Sequence, residues 1–318
     1  MANTRLDPIE ERPRHVKKMS PAIQTKIKRF MQDETRPLEK YLYLYHFENG
    51  ALSDVLAALA RFQNADGGFG HALESDLRLQ ESSVIATTIA FQHFRELGIH
   101  EESPLLRSAC RYLVDNYNAD TLNWSVVPAI VDNAPHAPWW TYDGDISRSQ
   151  SNPRAEIVGY LYEYPDQFPA HMRQQVSDSV MAYLLAQPDS LEMHDLMCYI
   201  RLYETSSLPA TLKQTLFDKL KRVVENVVSR DPAQWLEYGL PPLTVVNRPT
   251  TPFAFLFQNE LAANLDFMID WLDDAGYWNP NWSWADMWPD AWAQAEKDWR
   301  GVLTLANLRI LAAFDRLA

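Results

Sequence analysis

The chain of 318 residues contains only two cysteines, Cys110 and Cys198. Each sits in an apolar helical pattern, so a secreted disulfide framework has no support. An N-terminal apolar h-region is missing, and no run of about 18 apolar residues occurs, so neither a signal peptide nor a spanning helix is expected. We therefore expect a cytoplasmic protein without membrane insertion. No linker divides the sequence, which predicts one domain over 20–318 behind an N-terminal extension, 1–19, that carries Pro8, Pro13 and mixed charges without periodicity. Positive charge is also scarce. A net charge of −13 argues against nucleic acid, anionic membranes and polyphosphates, each of which would meet a repulsive field. The one basic run, Arg12 to Lys18 and on to Arg29, lies in the tail and first helix, where it reads as a solvated face.

What is present is ordinary globular material, 47% hydrophobic and 22% charged. Ser20-Pro21 has the form of an N-cap followed by proline at the first helical position. Pro37 to Phe47 is a second helix that Asn49-Gly50 ends. The stretch 51–63 places Leu52, Val55, Leu56, Leu59 and Phe62 on one stripe. Ser82 to Leu97 is apolar on nearly every side. The alternation continues through 104–117, 153–164, 171–185, 193–203 and 212–228, where Lys213, Lys219 and Lys221 are read as outward. A helix broken by Pro249 and Pro252 follows within 243–257, and the last pair is 259–272 and Trp299 to Leu317. Six one-sided helices thus alternate with six apolar ones. Pairs recurring every 40 to 70 residues or so, none able to bury its apolar face alone, form the signature of stacked helical hairpins. An all-α (α/α)6 toroid, with an inner and an outer ring of helices, satisfies it.

Between the third and fourth helices lies Gln63-Asn64-Ala65-Asp66-Gly67-Gly68-Phe69. Gln-x-x-Asp-Gly-Gly-aromatic resembles the repeat motif of squalene/hopene cyclases and of protein prenyltransferase β subunits, where it joins an outer helix to an inner one. A weaker echo is Asp273-Asp274-Ala275-Gly276-Tyr277-Trp278, with fainter ones near Asp120, Asp189 and Asp231. Phe69 to Glu74 and His136-Ala137-Pro138-Trp139-Trp140 are similar to stretches of small bacterial proteins of this terpenoid-cyclase-like superfamily. The resemblance implies the toroid and a small-molecule site in its central cavity. It does not extend to the catalytic signatures: Asp-x-Asp-Asp, Asp-Asp-x-x-Asp and the Asp-x-Cys element of the prenyltransferase zinc site are all absent, so fold does not convert into activity.

In such a ring every outer-to-inner link reaches one mouth of the cavity, and four of them, 64–81, 118–152, 229–243 and 273–298, are long enough to build a site. We expect Glu74, Asp76, Asp143 and Asp286 to act as acid/base groups, since carboxylates among aromatics can have raised pKa values. His71, His136, Trp139, Trp140, Tyr142, Trp282 and Trp284 are the expected substrate contacts, because indoles stack on ring faces and stabilise cations. The competing explanations are tryptophans that plug the end of the ring and loop residues that only cap backbone donors. His194 and Cys198, at i and i+4, lack a further ligand pair, so no metal or cofactor is expected. Arg148, Arg154 and Arg300 could hold an anionic group or pair with loop carboxylates. The leading expectation is an enzyme acting on a neutral, isoprenoid-like small molecule. The runner-up is a glycoside hydrolase or lyase, and the remaining reading is a toroid that only binds a metabolite or a protein.

Overall fold

The structure, a computed structural model, describes residues 16–145, 149–237 and 239–318. Most of the expected N-terminal extension, and Arg148, lie outside the described residues. Among those described, the chain is all-α apart from one hairpin, β1 (Tyr117–Asn118) paired antiparallel with β2 (Asn123–Trp124). The helices are α1 (Pro21–Asp33), α2 (Pro37–Phe47), α3 (Leu52–Ala60), α4 (Val84–Glu96), α5 (Pro104–Asp115) and α6 (Arg154–Glu163). They continue with α7 (Ala170–Ala186), α8 (Met193–Tyr203), α9 (Ala210–Val227), α10 (Pro242–Val245), α11 (Leu261–Asp270) and α12 (Pro289–Ala313). None is long and apolar enough to cross a membrane.

Local chemistry explains the boundaries. The Ser20 hydroxyl accepts the Ile23 amide ahead of Pro21, Pro37 opens α2, and Ser83 accepts the Ala86 amide to start α4. Burial separates the helices into two kinds. In α6 every residue from Arg154 to Leu161 is buried, and α4 is nearly as enclosed, whereas α9 buries one stripe, Leu216, Leu220, Val223 and Val224.

Two expectations are corrected here. Lys219 does not face outward: it is buried, and its ammonium is held by the carbonyls of Gln187 (2.6 Å) and Pro188 (3.2 Å) and by Asp189 (2.7 Å). It flanks the apolar stripe, so its methylenes pack while its head satisfies the link before α8. The last helix begins at Pro289, ten residues before Trp299. The segment Ala291–Lys297 consists of good helix formers but has no apolar stripe, so periodicity alone misses it. By contrast α10 is as short as its prolines predict.

Neighbouring helices pack as α2 on α3, α4 on α5, α6 on α7, α8 on α9 and α10 on α11. A second set of contacts joins α4 to α6, α6 to α8 and α12 to α2, and α12 also meets α1. The two ends of the described chain are sewn together. The Met19 amide donates to the Arg316 carbonyl (2.8 Å), Met19 is fully buried, and Lys17 and Lys18 pair with Asp270 and Asp315.

The glycine turn recurs in geometry as well as in sequence. Asn64 N–H donates to the Gly68 carbonyl, Gly67 N–H returns to Asn64, and the Phe69 amide donates to Thr87 of α4. At the weaker echo Asp273 N–H donates to Tyr277, Gly276 N–H returns to Asp273, and the Trp278 amide donates to Thr304 of α12. Gly67 and Gly276 share the positive φ, 89° and 96°. A Cβ on Gly67 would lie 2.3 Å from the Ser108 carbonyl of α5, and one on Gly276 would lie 2.9 Å from the backbone of α1. Each turn thus sits against a helix other than the two it joins, and only glycine allows both the conformation and the approach. Gln63 reinforces the first, donating to the Gly67 and Leu105 carbonyls at 2.9 Å each. The aromatic that follows is a core plug: Phe69, Trp124 and Trp278 are at most 1% exposed, and burying such a ring contributes roughly 1.5–3 kcal/mol. Trp124 and Trp278 also donate to carbonyls of the preceding helix, Leu113 and Met268.

Candidate active site

The four long links meet one another. Arg78 N–H donates to Pro135, Ala137 N–H to Asp76, and Leu77 bridges to His136, so the segment after Gly70 is stitched to 134–137. Asn281 reaches the Glu237 carbonyl (3.1 Å), and the tryptophans beyond it reach Asp76.

Asp76 is the hub. It is 3% exposed, and its carboxylate accepts three indole N–H groups: Trp284 and Trp299 on Oδ1 at 2.7 Å each, and Trp282 on Oδ2 at 3.3 Å. The Trp282 and Trp299 rings meet edge to face with centroids 5.0 Å apart. Burial raises the Asp76 pKa, and the three indole donors, followed by the charge of Arg78, oppose the rise.

Glu74 is 7% exposed; its carboxyl accepts the Asp76 amide at 3.3 Å and lies beside the Trp140 indole. Burial, then repulsion from the Asp76 charge, pushes its pKa up to about 8; the Asp76 amide, the Trp140 indole and Arg36 offset only part of this. Two carboxyls separated by one residue thus have different environments, one rich in donors and one poor.

Beneath them lies a buried ionic group at the start of α2 and within α12. Arg36 forms two bonds to Glu39, at 2.9 and 2.5 Å, and donates to the Ala72 carbonyl at 2.7 Å, which ties the Glu74 loop to α2. Asp298, 4% exposed, accepts Arg78 at 2.5 Å and Gln294 at 2.9 Å and stands 3.8 Å from Arg36. Burial disfavours the Arg36 cation, but Glu39, Asp298 and Glu74 outweigh it and raise its pKa. The links around this group are strained. His71, Ala72, Ala285 and Trp288 all have positive φ, a conformation that costs non-glycine residues on the order of 1–3 kcal/mol and gathers at functional sites.

Of the residues singled out in the sequence, Glu74, Asp76, Trp282 and Trp284 come together. Trp140 adjoins them, packing against the cluster of Ala137, Trp284 and Ala295. His71 is exposed and bonded to Asn64 (2.8 Å), while His136 is buried with its ring nitrogens on Ala134 O (2.7 Å) and Thr141 Oγ1 (3.2 Å), so both fix loops. Asp143 is exposed and accepts the Asp145 amide; Trp139 and Tyr142 are exposed, as is Asp286. His194 is bonded to Glu192, Cys198 is buried beside Arg201, and no group of three or more potential metal ligands stands together among the described residues. Arg154 is buried on Leu122 O, Gln150 and Ser179, and Arg300 pairs with Glu296. A cavity of about 420 Å³ opens at the far end of α4, lined by Arg95, Glu101, Glu102 and Glu163 among others. It shares no residue with the carboxyl pair, whose geometry makes it the stronger candidate.

Trp299, Arg36, Glu39, Arg78 and Asp298 were not among the expected site residues. The available signal was charge at otherwise apolar helix positions, since Glu39 and Asp298 are buried carboxylates that require partners. No protein-family model matches the chain, and no curated protein matches it.

Proposed function

We propose that the chain is a small-molecule enzyme in which Glu74, protonated at neutral pH, is the general acid, on an (α/α)6 toroid of six helical hairpins related to terpenoid cyclases. The toroid is supported by the two contact series, α12 packing back on α1 and α2, and the repeated glycine turn that sets Gly276 against α1 as Gly67 is set against α5. The acid role rests on one observation: a buried Glu74 with a pKa of about 8 lies two residues from an Asp76 that takes three indole donors. Environments that push two carboxyls apart divide the labour between an acid and a fixed anion.

In this reading Asp76 holds its charge and its three tryptophans, and its field keeps the proton on Glu74. Glu74 passes that proton to a neutral substrate. The carboxylate left behind is met by the Asp76 amide, the Trp140 indole and the Arg36 charge, and it recovers a proton from the product or from water. Anionic substrates are disfavoured by the acidic surroundings. The expected test is turnover on panels of isoprenoids and of glycosides. Glu74→Gln should lose a factor of about 10²–10⁴, the usual contribution of a positioned acid, while the exposed Asp143→Asn keeps wild-type rates. Full activity in Glu74→Gln removes the proposal.

A second reading, a toroid that binds a metabolite or protein without chemistry, draws on the complete burial of Trp284 and the near-saturation of Asp76. It predicts no turnover of any panel member by the wild type, together with ligand affinity unchanged in Glu74→Gln.

A further inference from the structure

A second cavity lies where α8 ends and α9 begins. It holds about 380 Å³, inside the range of roughly 300–1,000 Å³ that accommodates small ligands, and it is lined by Tyr203, Ala210, Lys213, Gln214 and Phe217. None of these residues belongs to the group around Glu74 and Asp76. The sequence explains how they meet: Tyr203 is the last residue of α8, Ala210 is the first of α9, and Lys213 and Phe217 stand one turn apart on the same face of α9.

One wall of this cavity is aromatic. The Phe217 ring lies nearly parallel to that of Phe253, with centroids 5.9 Å apart and planes at 6°, and Tyr203 meets both rings, at 5.9 and 6.0 Å. Phe253 is fully buried, whereas Tyr203 and Phe217 keep part of their surface open. The Lys213 ammonium stands 5.3 Å from the centre of the Tyr203 ring and makes one long bond, to the Thr205 carbonyl at 3.4 Å. Among the described residues it pairs with no carboxylate, since Glu204 is taken by Arg248 and Asp218 accepts the Gln214 amide. An ammonium carries three donors, so two are left for a ligand.

These features specify a ligand. Partly open ring faces favour a planar apolar body, because aromatic rings gain from offset or edge contact beyond simple burial. The ammonium favours a negative group, and the uncapped first turn of α9 at Ala210 adds to its field. A single cation on a chain of net charge −13 suits one negative charge and not a phosphate dianion or a polyanion. We infer that this cavity is a binding site for an aromatic monocarboxylate, with the ligand ring against Phe217 and Tyr203 and its carboxylate on Lys213 Nζ. The site stands apart from the acid reading of Glu74, and no bond is made or broken in it.

The test uses the full chain labelled with ¹⁵N, its backbone amide signals followed at pH 7 while phenylacetate, phenylacetamide and cyclohexylacetate are titrated. Phenylacetate is expected to shift the amides of Tyr203 and of 210–217. It should bind about fivefold more tightly than phenylacetamide, the factor that a partly exposed ion pair supplies at its upper end, and about threefold more tightly than cyclohexylacetate, which lacks the ring contact. Lys213→Gln, a change at a half-buried position on the rim of the cavity, should abolish the preference for the acid over the amide and leave the affinity for the amide as it was. Lys221→Gln, two turns further along α9 and outside the lining, should keep that preference. Equal affinity for acid and amide, or an equal loss in both lysine variants, would mean that general surface charge and not this cavity draws the anion, and overturns the inference. So does equal binding of cyclohexylacetate, or the absence of shifts at Tyr203 and 210–217 with phenylacetate.

Discussion

Replacing Glu74 by Gln should stabilise the protein, and by an amount that grows with pH. Glutamine has the shape of the protonated acid and can still accept the Asp76 amide, so the folded state loses little. The pKa of Glu74 rises from an ordinary 4.5 to about 8 on folding. A carboxyl whose folded pKa is raised binds its proton more tightly in the folded state. Its contribution is therefore fully present below about pH 4.5 and is progressively lost as pH climbs towards 8, because the unfolded chain ionises first. At 1.36 kcal/mol per unit, the advantage of the variant over wild type is about 1 kcal/mol at pH 5, about 3 at pH 7 and nearly 5 at pH 9. Urea denaturation of both proteins at these three values measures it, read as the difference in midpoint at constant slope. A difference that does not change with pH, or a variant less stable than wild type at pH 9, would mean that Glu74 is not held protonated and would end the argument for it as an acid.

Two further outcomes follow from the same geometry. Asp76→Asn keeps the side chain's size but loses the charge that three indoles address, and one amide nitrogen then faces a donor; stability should fall by about 3–5 kcal/mol, with loss of the near-ultraviolet dichroism of the tryptophans. A fall below 1 kcal/mol would show that the three bonds are incidental. Gly67→Ala and Gly276→Ala should each cost at least about 2 kcal/mol in thermal or denaturant unfolding, since both residues combine positive φ with a backbone neighbour inside contact distance. A tolerant Gly276→Ala would argue against treating the second turn as a copy of the first.

The parts of the fold that were legible in the sequence are those set by neighbouring residues. Proline at a helix start, serine at a cap and glycine at positive φ act within four residues, so α1, α2, α4 and the Gly67 turn could be read directly. Stripe periodicity gave α5 and α9 for the same reason. It missed the first ten residues of α12, where helix formers carry no apolar pattern, and it turned Lys219 outward because charge outweighed position. At the site, Glu74 and Asp76 stood out as loop carboxylates among aromatics, but their partners did not. Trp282, Trp284 and Trp299 are 206, 208 and 223 residues from Asp76. Nothing local to Arg36 distinguishes a helix boundary from a ligand of Glu39. Likewise His71 and His136 resemble substrate contacts by residue type, while their ring nitrogens are engaged with Asn64, Ala134 and Thr141.

Charge balance explains why the proton belongs on Glu74 rather than on another acid of the group. Arg36 and Arg78 bring two positive charges; Glu39, Asp298 and Asp76 bring three negative ones. Glu39 is matched by the fork of Arg36, and Asp298 by Arg78. Among the described residues Asp76 has no cation within a bonding distance, but its charge is spread over three indole N–H groups, which makes it the easier of the two remaining carboxylates to ionise. Ionising Glu74 as well would leave a second charge two residues away in a nearly dry site, supported only in part by a long amide bond, the Trp140 indole and the more distant Arg36. The tryptophans of the third long link and of α12 are thus part of the acid. By fixing the charge on Asp76 they fix the proton on Glu74, and a change at Trp284 or Trp299 should lower the Glu74 pKa without touching the residue itself.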